Sequence, residues 1–315
     1  MKINQLQPKI YFSPFHNLTH RLFRDTFCQH FSGIDAFISP FMPVGEAVTL
    51  STARFKDILP KSEKTPLIPQ LIGCKSNELA DSVHFLLQLG FERINWNLGC
   101  PMPQIIRKKR GAGLLPFPEL IENAVNEILT RSPNARLSLK MRLGLQDATE
   151  SLKIIERLNQ YPLDFIAIHA RLGVQRYEGS VDIEAFTNCF RISKNTVFYN
   201  GDINTVADFE QISTLFPTMK AVLLGRGLLK NPLLAEEIKQ KNLQIGNKKV
   251  RIYNFFNDLA TQYQQKSTPT GCLNRLKELI IYLSTSLEFS PQKLTNLLRI
   301  NSLEEFKREI ENCKI

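Results

Sequence analysis

The stretch Leu137-Ser138-Leu139-Lys140-Met141-Arg142-Leu143-Gly144 decides how the chain is read. Successive side chains of a strand point to opposite faces, so Leu137, Leu139, Met141 and Leu143 share one face and Ser138, Lys140 and Arg142 the other. In a barrel strand that second face points inward, where an unpaired lysine is costly. An inward cation near the rim points to an anionic ligand. A lysine snorkelling to solvent is the plainer alternative.

Working outward, seven further runs of the same kind flank it: Ile10–Pro14, Asp35–Pro40, Leu67–Gly73, Arg93–Gly99, Phe165–Arg171, Thr196–Asp202 and Ala221–Gly227. They recur at spacings of about 25 to 45 residues, room for a strand, a helix and two loops. Between them lie Ser76–Leu89, Pro118–Thr130, Glu150–Gln160 and Val206–Phe216, with apolar residues at three- and four-residue steps. Asp147 and Asn204 are placed to cap two of these helices. Eight strands alternating with helices predict a (β/α)8 TIM barrel. A doubly wound open sheet is the competitor, but it would carry a Gly-rich fingerprint after the first strand. Ser13-Pro14-Phe15-His16-Asn17 is not one.

After Asn231-Pro232 the pattern changes, and helices are predicted over Val250–Gln265, Leu273–Leu287, Pro291–Leu298 and Ser302–Asn312. The expected organisation is a barrel over residues 1–243 and a small all-helical domain over 244–315.

Composition narrows the class. The 315 residues carry 40 Lys and Arg against 30 Asp and Glu, a net charge of +10. Residues 241–315 hold 12 basic and 7 acidic side chains, half of that surplus. Such a balance suits an anionic partner, without separating nucleic acid from a membrane surface. No apolar run approaches the roughly 18 residues of a membrane span, and the first residues lack the apolar core of a signal peptide. The six cysteines (Cys28, Cys74, Cys100, Cys189, Cys272, Cys313) include no CxxC pair, so neither a zinc site nor a disulfide framework is expected. A cytoplasmic protein without metal is the default expectation; oligomeric state is unreadable, and a monomer is assumed.

Polar and reactive residues gather at the C-terminal ends of the predicted strands: Gln70, Asn97 with Cys100, Lys140 with Arg142, His169 with Arg171, Asn200 to Asp202, and Gly225-Arg226. In a barrel those ends form one face, where active sites are found. Asn200-Gly201-Asp202 and Gly225-Arg226-Gly227 follow strands seven and eight, a place where backbone N–H groups and an arginine can hold a phosphate. Turn glycines with a solvated arginine remain the alternative. Gly99 and Pro101 force a turn that presents Cys100 at a loop tip. Cys28, Cys189, Cys272 and Cys313 read as small core hydrophobes, whereas Cys74 suits a rim position but has no polar company. His169 suits an interior histidine as well as a ligand contact. The run Arg107-Lys108-Lys109-Arg110 is either a solvated face or a clamp for a phosphate backbone.

With these residues assembled, the chain resembles the tRNA-dihydrouridine synthases. Asn97-Leu-Gly-Cys-Pro101 followed by Gly111-Ala-Gly-Leu-Leu115 is the most specific piece. Lys140-Met-Arg-Leu-Gly144, His169-Ala-Arg171, Tyr199-Asn-Gly-Asp-Ile203 and Gly225-Arg-Gly227 support it. Arg275-Leu-Lys277 with Tyr282-Leu283 is similar to the family's C-terminal helical domain. The resemblance implies an FMN enzyme that reduces uridine in tRNA to 5,6-dihydrouridine, with NADPH restoring the tightly bound flavin. It implies that Pro14, Phe15, His16, Gln70, Lys140 and His169 surround the flavin. Asn200, Gly201, Asp202, Gly225 and Arg226 would take its phosphate end. Hydride would reach C6 of the uracil, and Cys100 would protonate C5, with Asn97 holding the base. Arg142 and Arg171 would contact uracil or a neighbouring phosphate. Arg107, Lys108, Lys109, Arg110, Arg275 and Lys277 would hold RNA, with the base turned out of its stack. The family commonly has Ala-Pro-Met where this chain has Ser13-Pro14-Phe15. It usually has an acidic residue at Asn95 and a small polar one at Leu172. Two alternatives stand beside this reading: a small-molecule FMN oxidoreductase resembling dihydroorotate dehydrogenase, and a non-catalytic RNA-binding relative.

Overall fold

The computed structural model describes residues 7–45, 53–59, 65–240 and 247–312. Each of the eight expected runs forms a strand. The strands are β1 (Lys9–Phe12), β2 (Ala36–Ile38), β3 (Met42–Pro43), β4 (Leu67–Ile68), β5 (Gln70–Ile72), β6 (Arg93–Leu98), β7 (Arg136–Gly144), β8 (Phe165–Leu172), β9 (Val197–Asn200) and β10 (Ala221–Leu224). There are ten segments rather than eight because the run Leu67–Gly73 is interrupted and because Met42–Pro43, beyond the end of the run Asp35–Pro40, pairs as a strand too. Pro69 has no N–H to give a ladder, so β4 and β5 part there, and the Gln70 N–H goes to Ser39 Oγ at 2.9 Å. Pro40 lies in the corresponding break between β2 and β3.

All pairings are parallel, in the order β3-β5-β6-β7-β8-β9-β10-β1-β2-β4. Because β2 with β3, and β4 with β5, are halves of single staves, the ring closes on itself with eight staves. The barrel predicted from the sequence is present.

Strand alternation then sorts the side chains. Tyr11, Ala36, Ile38, Ile68, Phe165, Ala167, Phe198, Ala221 and Leu223 form an apolar cluster of their own. The residues between them, such as Ile10, Phe12, Ile166 and Ile168, belong to the larger core under the helices. At the foot of the barrel Arg93 lies over the Tyr11 and Phe165 rings and pairs with Asp164 at 2.7 Å. Toward the C-terminal ends the same inward positions turn polar. Register sets Asn97 beside Lys140, Arg142 beside His169, and His169 beside Asn200.

The helices are α1 (Arg21–His30), α2 (Ala53–Ile58), α3 (Ser76–Gln88), α4 (Pro103–Ile106), α5 (Pro118–Arg131), α6 (Thr149–Leu158), α7 (Ile183–Ile192), α8 (Val206–Leu215), α9 (Arg226–Lys230), α10 (Leu234–Lys239), α11 (Lys248–Lys266), α12 (Pro269–Leu283), α13 (Pro291–Arg299) and α14 (Leu303–Glu311). The two expected caps are displaced by one residue. Thr205, not Asn204, caps α8 in a reciprocal box with Asp208. Ala148 precedes α6, while the Asp147 carboxylate accepts the Thr149 N–H from outside the helix.

Residues 247–312 form four helices packed against the barrel. Phe255 of α11 enters an aromatic cluster with Phe23, Phe27 and Phe31. Burying each such ring contributes about 1.5–3 kcal/mol. Arg251 fastens the same seam through Glu236 and the His30 carbonyl. On the other side Tyr282 of α12 meets Phe15 edge-on at 5.9 Å, which brings the helical region to the cavity wall. The boundary expected at 243/244, and Cys313, lie outside the described residues. Among the described residues no helix is long and apolar enough to cross a membrane.

Candidate active site

A cavity of about 660 Å³ opens at the C-terminal ends of the strands. Pro14, Phe15, His16, Gln70, Lys140, His169, Asn200, Gly201, Asp202, Gly225 and Arg226 all line it, as do Asn97, Cys100 and Arg142. Seven separate staves supply these groups, which is why no local motif contains them.

The cysteine turn is built from both sides. Asn97 Oδ1 accepts the backbone N–H groups of Gly99 and Cys100, each at 3.0 Å. The Ala112 N–H donates to the Cys100 carbonyl at 3.1 Å. Gly111 has φ +56°, and a Cβ there would stand 2.8 Å from the Cys100 carbonyl oxygen. Burial pushes the Cys100 thiol pKa up, although the Met102 N–H and the Arg142 and Lys140 cations oppose it. The direction of that shift favours the protonated thiol over the thiolate.

Lys140 faces the same cavity and has neither hydrogen-bond acceptor nor carboxylate among the described residues. Burial, then the nearby Arg142, pushes its pKa down to about 7. His169 is held neutral, its pKa driven well below the usual value by burial and by Arg142, Lys140, Arg171 and Arg226. Its Nε2 lies 3.3 Å from Arg171 Nη1.

A chain of amides runs behind the cysteine turn. Asn97 Nδ2 donates to Gln70 Oε1 at 2.8 Å, and Gln70 Nε2 donates to Asn95 Oδ1 at 2.8 Å. Asn95 Nδ2 donates to Ser138 Oγ at 2.9 Å, which donates to the Ile94 carbonyl at 3.1 Å. Asn95 thus accepts from Gln70 as a carboxylate would, and Ser138 takes up its remaining amide.

The far end of the cavity is cationic. Asp202 lies between Arg171 and Arg226, with Arg226 Nη2 at 2.7 Å. Burial opposes its ionisation, but hydrogen bonds and charge from the two guanidiniums outweigh that and hold its pKa low. A Cβ on Gly225 would press on Phe15 at 3.3 Å, so the backbone there is bare toward the cavity.

The two inward arginines differ from expectation. Arg171 does not line the cavity. It is 2 % exposed, and its donors are committed to Asp202 and the Gly179 carbonyl. Arg142 does line it, but its Nε and Nη1 hold the carbonyls of Gly99 and Leu172 at 2.9 and 2.8 Å. Both are struts between rim loops, because a buried guanidinium takes the nearest carbonyls and carboxylates. The Arg142 pKa falls to about 10 through burial, leaving it charged.

Arg107, Lys108 and Lys109 are exposed just beyond α4, whose Gln104 and Ile105 line the cavity. Lys109 stands 4.5 Å over the Phe117 ring, and Arg110 Nε is buried without a partner among the described residues. Arg275 and Lys277 are half-buried on α12 and do not line the cavity. Arg275 lies over Tyr263 and donates to Ser267 at 3.0 Å.

Sequence reasoning missed Tyr177 and Phe41. Tyr177 is 51 % exposed at the mouth, with the Arg142 and Arg226 guanidiniums each 5.4 Å from its ring. Phe41 stacks on His16 at 4.6 Å. Both sit in loops without periodicity. The one signal available was their place after a strand's C-terminal end.

The dihydrouridine synthase (Dus) family profile matches residues 11–313. The chain belongs to the dihydrouridine synthase family. Relatives within it include the tRNA-dihydrouridine(16) synthase of Neisseria meningitidis serogroup A, 30% identical over 240 residues, 74% of this chain and 71% of the relative. The serogroup B protein of the same name is 28% identical over 96% of both chains. A probable tRNA-dihydrouridine synthase of Aquifex aeolicus is 24% identical over 99% of this chain and 98% of its own. Among solved structures, the old yellow enzyme homologue of Zymomonas mobilis superposes with TM-score 0.55 at 12% identity, over 75% of this chain and 89% of that one. At that identity the likeness is one of fold, and it agrees with the closed barrel. The family expected from the cysteine and lysine motifs is the family found.

Proposed function

We propose that this dihydrouridine synthase reduces the C5=C6 bond of a uridine in tRNA, using FMN held in the rim cavity and NADPH as reductant. The observation that carries the reading is that the Cys100 thiol and the Lys140 amino group, the latter without a partner among the described residues, line one cavity. The residues fit the cofactor. A lysine with no carboxylate of its own, an arginine beside bare glycine backbone, and a cavity within the roughly 300–1,000 Å³ usual for such ligands suit an anionic, acceptor-rich group. Bound there, FMN would supply the two-electron reduction, and the protein supplies the rest.

Arg226 and the backbone around Gly201 and Gly225 hold the phosphate end. Lys140 and the remaining N–H of Gln70 lie along the ring wall, where their positive ends favour negative charge. The remaining Asn97 N–H can meet a uracil carbonyl. Cys100 gives its proton to C5 as negative charge develops there, and burial keeps that proton in place at neutral pH. Exposed Arg107, Lys108 and Lys109 lie on the approach and would hold the RNA backbone, with the base turned into the cavity.

Position 16 of tRNA is the first to examine, since five relatives at 28% to 30% identity are named for it. The test is mass mapping of dihydrouridine in tRNA from cells with and without the gene. Loss of one dihydrouridine site supports the proposal. An unchanged map, with reduction of free pyrimidines by the purified protein, overturns it.

A further inference from the structure

The amide chain behind the cysteine turn has a fixed direction. It starts at the backbone N–H groups of Gly99 and Cys100, which can only donate, so Asn97 must turn its oxygen to them. Its nitrogen then faces Gln70, which must answer with oxygen, and the Gln70 nitrogen must face the Asn95 oxygen. Reversing Gln70 would oppose two nitrogens on one side and two oxygens on the other. Gln70, Asn95 and Ser138 are each 0 % exposed, so no solvent would relieve the mismatch.

The consequence faces the cavity. Asn97 has both oxygen lone pairs in use and one N–H left, and Gln70 likewise keeps one N–H. Asn97 is the register partner of Lys140, and Gln70, Asn97 and Lys140 all line the cavity.

We propose that Asn95 is a positioning residue which, through Gln70, keeps N–H rather than carbonyl groups turned toward the cofactor, biasing the site toward reduced over oxidised FMN. This rests on the FMN reading above. Reduced FMN is the more electron-rich form, and donors aimed at it stabilise it selectively. Replacing Asn95 by leucine removes one of the two contacts that orient the Gln70 amide and leaves only the Asn97 N–H to oppose its reversal.

The test is the reduction potential of FMN bound to the wild type, Asn95→Leu, Gln70→Leu and the double variant. Asn95→Leu should lose about tenfold of the preference for reduced FMN, a shift of about 30 mV to more negative potential. Once Gln70 is gone, the second substitution should add nothing. A wild-type potential in Asn95→Leu, or additive shifts in the double variant, would overturn the proposal. Should Asn95→Leu fail to fold, side-chain amide hydrogen exchange in the flavin-free wild type decides: protected Gln70 and Asn95 side-chain protons support the relay, and fast exchange sinks it. That measurement needs no cofactor. A protein that binds no FMN therefore refutes the functional reading without being mistaken for failure of the relay.

Discussion

Gly111→Ala tests the cysteine turn most directly. The substitution does two things whose sizes follow from geometry. At φ +56° an L side chain meets its own carbonyl, costing about 1–2 kcal/mol. The new Cβ also stands 2.8 Å from the Cys100 carbonyl oxygen and 2.9 Å from its Cβ, where ordinary contact begins near 3.4 Å. The turn must retreat by about half an ångström, and in a close-packed site that displaces the thiol by a similar amount. A misplacement of about 1 Å can cost about 100-fold in rate, so a loss of about tenfold or more in turnover is expected. The melting temperature should fall by a few degrees, at roughly 2 °C per kcal/mol for a chain this long. The assay pairs dihydrouridine formation on unmodified tRNA with thermal unfolding. Gly45→Ala serves as the control, because among the described residues nothing lies within 4 Å of a Cβ there. Wild-type turnover and melting in Gly111→Ala would refute the claim that backbone contact with Gly111 sets the position of Cys100.

Further outcomes follow from the same geometry. Cys100→Ala should retain FMN and tRNA and lose most turnover; a wild-type rate would remove the thiol from proton transfer. Arg226→Ala should release FMN more readily, by about tenfold or more for a lost charged contact, as equilibrium dialysis would show; unchanged retention would remove Arg226 from the phosphate end. The Lys140 pKa is depressed in the fold, so the flavin-free protein binds fewer protons there than the unfolded chain does between about pH 7 and the usual lysine value. Its stability should climb as pH rises through that window, and Lys140→Met should flatten the climb, as denaturation midpoints would show. Neutralising Arg107, Lys108 and Lys109 should weaken tRNA binding at low salt and flatten its salt dependence, whereas an unaltered slope would mean these cations are merely solvated.

The sequence carried the architecture because strand alternation is local. Leu137 to Gly144 assigned its inward face, and with it Lys140 and Arg142, from spacing alone. Partners are another matter. Nothing near Arg171 in the chain announces that Asp202, two strands' length away in sequence, will claim it, or that Arg142 will hold the carbonyls of Gly99 and Leu172. Both look like ligand contacts until the packing is known. Asn95 carried the opposite lesson, since its departure from the family's usual acid becomes understandable only beside Ser138. Pro69 marked a break that sequence inspection passed over, and Tyr177 stands in a loop where periodicity has nothing to report.

Asp202 also governs the shape of the rim itself. Two guanidiniums brought to one rim would otherwise repel each other and splay their loops. A resident carboxylate gives them a standing counter-ion that ties the two loops together. If FMN binds as proposed, its phosphate would have only to share Arg226 with an acid already in place, and affinity at that end would reflect an exchange of one anion's company for another's.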